Sequence, residues 1–181
     1  MFPLYNFRPI EQGQYPWLVS VTVGQSHVCN GVLLSRRHVL TSATCVNHVS
    51  QSRLRVTIME YNLNVEEAHQ QSINVKHTVT HPQYTRGDPP SYNVAVLTLS
   101  TRVSHVSPVC WGPLMPSTDP DPQYTYTSWG QTQFGQSAIP HRTYLHKIDH
   151  SQCLVNSFHL STSSTSTAPC SCNTVSCSNV A

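Results

Sequence analysis

The sequence has little charge and, toward its end, no glycine. Asp, Glu, Lys and Arg make up only 10% of the 181 residues, and the net charge is +2 with eleven neutral histidines. So small and scattered a charge gives no electrostatic footprint for nucleic acid. The N-terminus lacks a signal-peptide apolar run, and no stretch reaches transmembrane length. No nucleic-acid or membrane partner is therefore expected, and no export signal is visible.

Seven cysteines are present, which is an odd number. In an exported protein this count indicates disulfides with one thiol left over, whereas in a cytosolic protein the cysteines would be free thiols or metal ligands. The group Cys170, Cys172 and Cys177 could bind zinc with a histidine, but its spacing matches no common zinc site. We therefore expect no metal and no other cofactor.

Short apolar segments recur along the first two thirds of the chain. Some alternate with polar residues, as in Leu18–Val23, and Val94–Leu99 is a nearly continuous apolar run. Alternation is typical of half-buried strands, and short strands separated by turns are typical of sandwiches and barrels. The sequence predicts an all-β fold, with strands near residues 18–23, 32–34, 39–41, 54–58, 73–79, 94–99, 124–130 and 144–148.

Two segments interrupt this pattern. Residues 112–123 contain four prolines, which remove backbone donors, so we expect a linker between two β-units. Residues 154–181 form a Ser/Thr/Cys-rich tail with little apolar content, which predicts disorder.

Several segments match the motifs of one known family, in order and at similar spacing. They begin with Pro-Trp-Leu-Val-Ser-Val and include Val-Leu-Thr-Ser-Ala-Thr-Cys and Ser-Trp-Gly-Gln-Thr. Together they resemble the trypsin-like serine proteases of the S1 peptidase family, which have the chymotrypsin fold, over residues 13–153. The matching segments are Pro16–Val21, Cys29–Ser35, Val39–Cys45, His81–Tyr84, Asn93–Leu99, Pro108–Cys110 and Ser128–Thr132.

The resemblance implies a chymotrypsin-like double β-barrel, with a complete first barrel, an incomplete second barrel and no need for oligomerisation, so we expect a monomer. It also implies a secreted protein and a Cys29–Cys45 disulfide. Cys110 resembles a cysteine that ties many relatives to a propeptide, a partner that is missing here, so a free Cys110 is one alternative. The pairing of Cys110, Cys153, Cys170, Cys172 and Cys177 stays open.

The resemblance also locates the catalytic positions. The histidine position holds Thr44 and the aspartate position holds Asn93, whereas the Gly-Asp-Ser-Gly-Gly segment has no counterpart, since no glycine follows Gly135. A threonine hydroxyl cannot accept the serine proton near neutral pH. An Asp-to-Asn change in such a triad lowers turnover about ten thousand-fold.

We therefore expect no catalytic residues, and an inactive serine-endopeptidase homologue, a pseudoprotease, with a possible protein-binding role. The alternative is a truncated product of a secreted endopeptidase gene that acts in proteolysis. The changes at Thr44 and Asn93 favour the first, and the glycine-free tail favours the second.

Other residues near these positions could supply relocated catalytic groups or a basic patch. His81, His38 and His48 could supply a base and Asp88 a carboxylate, but structural or solvated loop residues are favoured at all four positions. Arg36, Arg37, Arg53 and Arg55 could form an anion or glycosaminoglycan patch. With so small a net charge, a solvated β-surface is favoured there.

Overall fold

The fold is all-β, as the sequence predicts. The computed structural model describes residues 7–87, 90–112, 123–132 and 135–146. The strands are β1 Arg8–Pro9, β2 Leu18–Val23, β3 Ser26–Ser35, β4 His38–Thr41, β5 Leu54–Ile58, β6 Gln71–Thr80, β7 Ala95–Leu99, β8 Gln123–Ser128, β9 Gln131–Thr132, β10 Gly135–Gln136 and β11 His141–His146. A short helix, α1 Ala43–Val46, and a 3-10 turn, Gln51–Arg53, lie between β4 and β5.

Six strands close into an antiparallel barrel in the order β2-β3-β4-β7-β6-β5. Closure pairs both edges of every strand, so the barrel presents no open ladder along its sides. Its interior is filled by aliphatic side chains, and Val19, Leu33, Val39 and Leu97 are fully buried. Gly31 has no side chain because a Cβ there would lie 2.8 Å from Cγ1 of Val39.

The second β-unit is smaller. Strands β1, β11 and β8 form a three-stranded antiparallel sheet, and β9 pairs with β10 in a hairpin. The fold is therefore chymotrypsin-like, with one closed six-stranded barrel and another sheet beside it. Gln123, placed at the end of the predicted linker, already begins β8.

Strand β2 departs from the predicted half-buried pattern. Val19 and Val21 face the barrel core, but Ser20 on the opposite face is fully buried as well. The second β-unit covers that face, because Leu18 packs with Trp129 and Ile10 in a separate small cluster. Alternation identifies the strand but cannot show that another unit covers its polar face.

Several predictions concern residues outside the described ones. The domain boundary at 13–153, the linker at 112–123, of which residues 113–122 are not described, the disordered tail at 154–181 and the state of Cys153, Cys170, Cys172 and Cys177 therefore stay predictions. In the described part of the chain, no helix is long and apolar enough to cross a membrane.

Candidate functional site: the Thr44–Asn93 cluster

The structure brings Thr44 and Asn93 into direct contact. Asn93 Oδ1 accepts hydrogen bonds from Thr44 N, from Thr44 Oγ1 and from Ser42 Oγ, each at 2.8 Å. Three donors on one atom identify that atom as the amide oxygen, since the amide nitrogen cannot accept. We call Ser42, Thr44 and Asn93 the Thr44–Asn93 cluster.

The cluster lies at one end of the barrel, where β4 leads into α1. Ser42 is the N-cap residue of α1, but its side chain makes no capping bond of its own. The first N–H groups of a helix lack intrahelical partners. Asn93, from the segment before β7, supplies the acceptor for one of them. The pairing of Thr41 with Ala95 holds the two segments side by side.

The backbone beside Asn93 is conformationally unusual. Tyr92 has φ +50°, in the left-handed region that non-glycine residues rarely adopt, and Val94 N donates to Tyr92 O at 2.8 Å. The Tyr92 ring stacks on the His81 ring with centroids 4.7 Å apart and an interplanar angle of 7°. This stack forms the rim of the cluster, and Tyr92 remains 50% exposed.

A disulfide closes the loop that carries Thr44. Cys29 of β3 and Cys45 of α1 are bonded, with Cα atoms 6.2 Å apart and sixteen positions of separation. The predicted pairing is confirmed. Cys110 is exposed and forms no disulfide with another cysteine of the described residues.

Two of the three histidines that could supply a base, His81 and His38, have other hydrogen-bond partners. His81 accepts the Gln83 N–H on Nδ1 at 3.2 Å, and His38 pairs with Ser35 Oγ at 2.9 Å at the other end of β4. His48 is exposed, with φ +65°. Within residues 7–87, 90–112, 123–132 and 135–146, no imidazole bonds to Thr44 or Asn93. Asp88 lies outside the described residues.

The barrel meets the second β-unit next to a half-buried histidine, His27. His27 Nδ1 and Ser20 Oγ are 2.7 Å apart, and the His27 ring contacts the Trp129 ring edge-on at 5.7 Å. Burial lowers the pKa of His27. Trp129 donates its backbone N–H to Asn30 Oδ1 at 3.1 Å and its indole N–H to Tyr61 O at 2.9 Å.

The comparison with protein families agrees with this architecture. A family model described as Trypsin matches residues 4–174. The chain belongs to the trypsin family. It is 33% identical to bovine chymotrypsin-like elastase family member 1 over 143 residues, which cover 75% of this chain and 53% of the relative.

Two further relatives show the same partial coverage. The canine elastase of that name is 32% identical over 139 residues, covering 73% of this chain and 53% of the relative. Ovochymase-2 of the mouse is 33% identical over 105 residues, covering 56% of this chain and 17% of the relative. The chain spans about half the length of the elastases that it matches.

The family motifs predict that Thr44 and Asn93 stand at the histidine and aspartate positions of the trypsin family. That assignment stays a prediction; the structure shows that the two residues are bonded to each other. Chemically, the cluster holds two hydroxyls and an amide, and none of these groups is a base near neutral pH. The hydrogen bonds of the cluster can hold in place the loop that starts with α1.

Two contacts could not be predicted from the motifs. Ser42 adds a third hydrogen-bond donor to Asn93. Its one sequence signal is a hydroxyl side chain at a position where the family motif has alanine. The Ser20–His27 contact had no signal, since the two residues lie on different strands. Among the described residues, no group of three His, Cys, Asp or Glu side chains is placed to hold a metal ion.

The four arginines weighed as one basic patch do not lie together. Arg36 and Arg37 form the β3–β4 turn, whereas Arg53 precedes β5 and its carbonyl accepts the Gly24 N–H at 2.9 Å, beside the start of β3. The nine residue steps of β3 separate the two pairs by roughly 30 Å. Arg55 is engaged with Ser72 through Nε at 2.9 Å.

Proposed function

We propose that this chain is a proteolytically inactive member of the trypsin family, a pseudoprotease, that acts by binding another protein. The observation that carries the proposal is the bonding of Thr44 to Asn93. Family catalysis requires an imidazole to move the serine proton and a carboxylate to stabilise the imidazolium. Neither group is present in this cluster.

The chemistry of the two changes supports the proposal independently of chain length. Thr44 and Asn93 both belong to the first barrel, so a longer chain with the same first barrel would carry both. Loss of either function reduces turnover by several orders of magnitude in such a triad. The retained barrel, disulfide and packed core support a binding role, because they preserve a rigid surface.

A second candidate is a secreted endopeptidase acting in proteolysis, represented here by part of its length. The observation that favours it is the likeness to elastases, of which the chain spans 53%. The substitutions at Thr44 and Asn93 weigh against it. Both candidates include secretion, which the Cys29–Cys45 disulfide supports since such bonds persist in oxidising compartments.

A fluorophosphonate, which labels only an activated serine, tests whether this chain is inactive. The protein, produced through an oxidising secretory route, is incubated with a biotinylated fluorophosphonate beside an active elastase. We expect the elastase to be labelled and this chain not to be. Labelling that disappears on unfolding would contradict the proposal and favour the endopeptidase.

A chimera that joins the first barrel of this chain to the second half of an active elastase provides the test that separates the two candidates. The same probe is applied to it with Thr44 and Asn93 as they are, and with the double change Thr44→His and Asn93→Asp. The proposal predicts labelling in the double variant only. Equal labelling of both forms would show that the two positions do not limit the chemistry.

A further inference from the structure

Three segments converge at the end of the barrel opposite the Thr44–Asn93 cluster. The β3–β4 turn carries Arg36 and Arg37, whose carbonyls accept the Val103 N–H and the Leu99 N–H, each at 2.8 Å. The first of these bonds places Arg102, the residue before Val103, next to the turn. Three positively charged residues, Arg36, Arg37 and Arg102, therefore lie close together on the surface.

An exposed tryptophan borders this stretch. The segment after Val106 returns to β3, where Val109 N donates to Leu33 O at 2.9 Å and Trp111 Nε1 donates to Leu34 O at 3.0 Å. Leu34 precedes Arg36 by two residues, or about 7 Å along an extended strand. The indole is fixed by its own hydrogen bond, yet Trp111 is 67% exposed, more than any other exposed large apolar side chain described.

The guanidinium groups of this stretch have no partner of their own. Across the described residues, no side-chain hydrogen bond or ion pair engages Arg36, Arg37 or Arg102. Two arginines elsewhere differ, since Arg55 bonds to Ser72 and the Arg142 guanidinium lies 5.5 Å from the centroid of the Tyr144 ring. Three unengaged, exposed arginines beside a fixed indole have the side-chain composition of interface hot spots.

We propose that Trp111, Arg36, Arg37 and Arg102 form a docking surface for an acidic protein segment that carries an apolar side chain. The arginines complement carboxylates, which they bind in bidentate fashion, and the indole complements the apolar side chain. A sulfated polysaccharide would use the arginines and leave the exposed indole without a role. We call these four residues the Trp111 surface. The inference rests on the proposed protein-binding function and gives it a location.

The test uses the whole chain and a synthetic acidic peptide. A fluorescent twelve-residue peptide of alternating glutamate pairs and leucines is titrated with the protein, followed by anisotropy at low and at physiological ionic strength. Its analogue with glutamine in place of glutamate is the neutral control. We expect saturable binding of the acidic peptide that weakens with salt, and no binding of the analogue.

Two matched pairs of variants locate the site. The triple change Arg36→Gln, Arg37→Gln and Arg102→Gln should weaken binding about tenfold or more, since three ion pairs are lost. Arg8→Gln, Arg53→Gln and Arg86→Gln together remove the same charge from exposed positions elsewhere and should change the affinity less than twofold. Trp111→Ala should weaken binding about 30-fold. Tyr144→Ala, at an exposed aromatic of the small sheet, should have no effect.

Three outcomes overturn the inference. One is no saturable binding, and another is equal weakening by both arginine triples, which would mean that net charge alone attracts the peptide. The third is a heparin oligosaccharide that binds more tightly than the peptide and is insensitive to Trp111→Ala, which would assign the surface to a sulfated glycan. Fluorophosphonate labelling is measured separately, so failure here leaves the inactivity standing, and labelling leaves peptide binding standing.

Discussion

The closed barrel and the three-stranded sheet of β1, β11 and β8 bury their side chains to different degrees. The barrel interior holds sixteen buried apolar residues in one continuous cluster. The small sheet leaves Tyr144 52% and Leu145 37% exposed, and the residues that follow β1 and β8, Ile10 and Trp129, pack with Leu18 of the barrel. A sheet of three strands is stable when one face packs on something else. The barrel therefore supplies its own stability, whereas the small sheet depends on the barrel.

Matched leucine truncations in the two regions test this dependence most directly. Leu97→Ala removes a fully buried side chain from β7 and should lower the free energy of unfolding by about 3–4 kcal/mol, through lost transfer and a cavity. Leu145→Ala in the small sheet should lower it by less than ~1 kcal/mol. Urea unfolding of both variants provides the measurement. Equal losses would show that the small sheet is part of the same cooperative core.

Cysteine substitutions compare the disulfide of the barrel with the exposed thiol of Cys110. Cys29→Ser with Cys45→Ser opens the loop of sixteen positions that ties β3 to α1, and the chain-entropy model gives a loss of about 3 kcal/mol. Cys110→Ser, at an exposed free cysteine where the chain leaves the barrel, should leave the unfolding midpoint unchanged. Thermal unfolding of the two variants is compared without reductant. A loss for Cys110→Ser as large as for the pair would mean that Cys110 is also part of the folded framework.

Substitutions of Asn93 test whether the Thr44–Asn93 cluster needs only a hydrogen-bond acceptor or specifically an uncharged amide. Asn93→Ala removes the acceptor of three donors, and we expect a loss of about 1–2 kcal/mol, since exposed Thr44 can turn to water. Asn93→Asp keeps an oxygen for all three donors and should retain the parent stability at neutral pH. The denaturant midpoints of Asn93→Ala and Asn93→Asp provide the measurement. If Asn93→Asp lost as much as Asn93→Ala, the amide itself would be required.

Sequence patterning could predict most of the barrel, because each of its strands has an apolar face that points inward. Leu54, Val56 and Ile58 alternate in the sequence and are buried in the structure. What patterning could not predict is contact between distant segments. Ser20 looks solvent-facing on an alternating strand, yet it is buried because His27 and the second β-unit cover it.

The candidate site was predictable for a different reason. Thr44 and Asn93 were identified by departure from a family motif, so their position needed no structure. Their bonding did, because 49 residues separate them and only the pairing of β4 with β7 brings them together. The Trp111 surface had no sequence signal beyond Arg36 and Arg37, since its other members come from two further segments.

The loop between β5 and β6 contacts both regions and contains three acidic residues, of which Glu60 and Glu67 interact with each other. Tyr61 OH donates to Ile10 O at 3.0 Å, and Glu67 Oε2 accepts the Tyr61 N–H at 2.8 Å. Glu60 Oε2 accepts from Gln70 Nε2 at 3.1 Å, whereas its Oε1 is buried without a hydrogen-bond partner among the described residues. Burial, with Glu67 nearby, raises the pKa of Glu60 to about 7.

The raised pKa of Glu60 predicts a loss of stability as pH rises. In the unfolded chain the carboxyl ionises near its ordinary value of 4.5, whereas in the fold it keeps its proton until about pH 7, so folding is progressively opposed between these values. Glu60→Gln keeps an oxygen for Gln70 and carries no charge. It should stabilise the protein by about 1 kcal/mol above pH 7, a figure reduced for solvent screening because the group is partly exposed.

The smallest expected effect is therefore the difference between the pH dependence of stability in the parent and in Glu60→Gln. His27 works in the opposite direction, because its lowered pKa removes stability as pH falls below about 6.5, where the unfolded imidazole protonates. Both variants of the Glu60 comparison retain His27, so its contribution cancels when the profile of the parent is subtracted from that of Glu60→Gln. The difference should be near zero at pH 4 and reach its plateau above pH 7. A flat difference, or one that grows toward acid pH, would show that Glu60 is not held protonated by its surroundings in the loop.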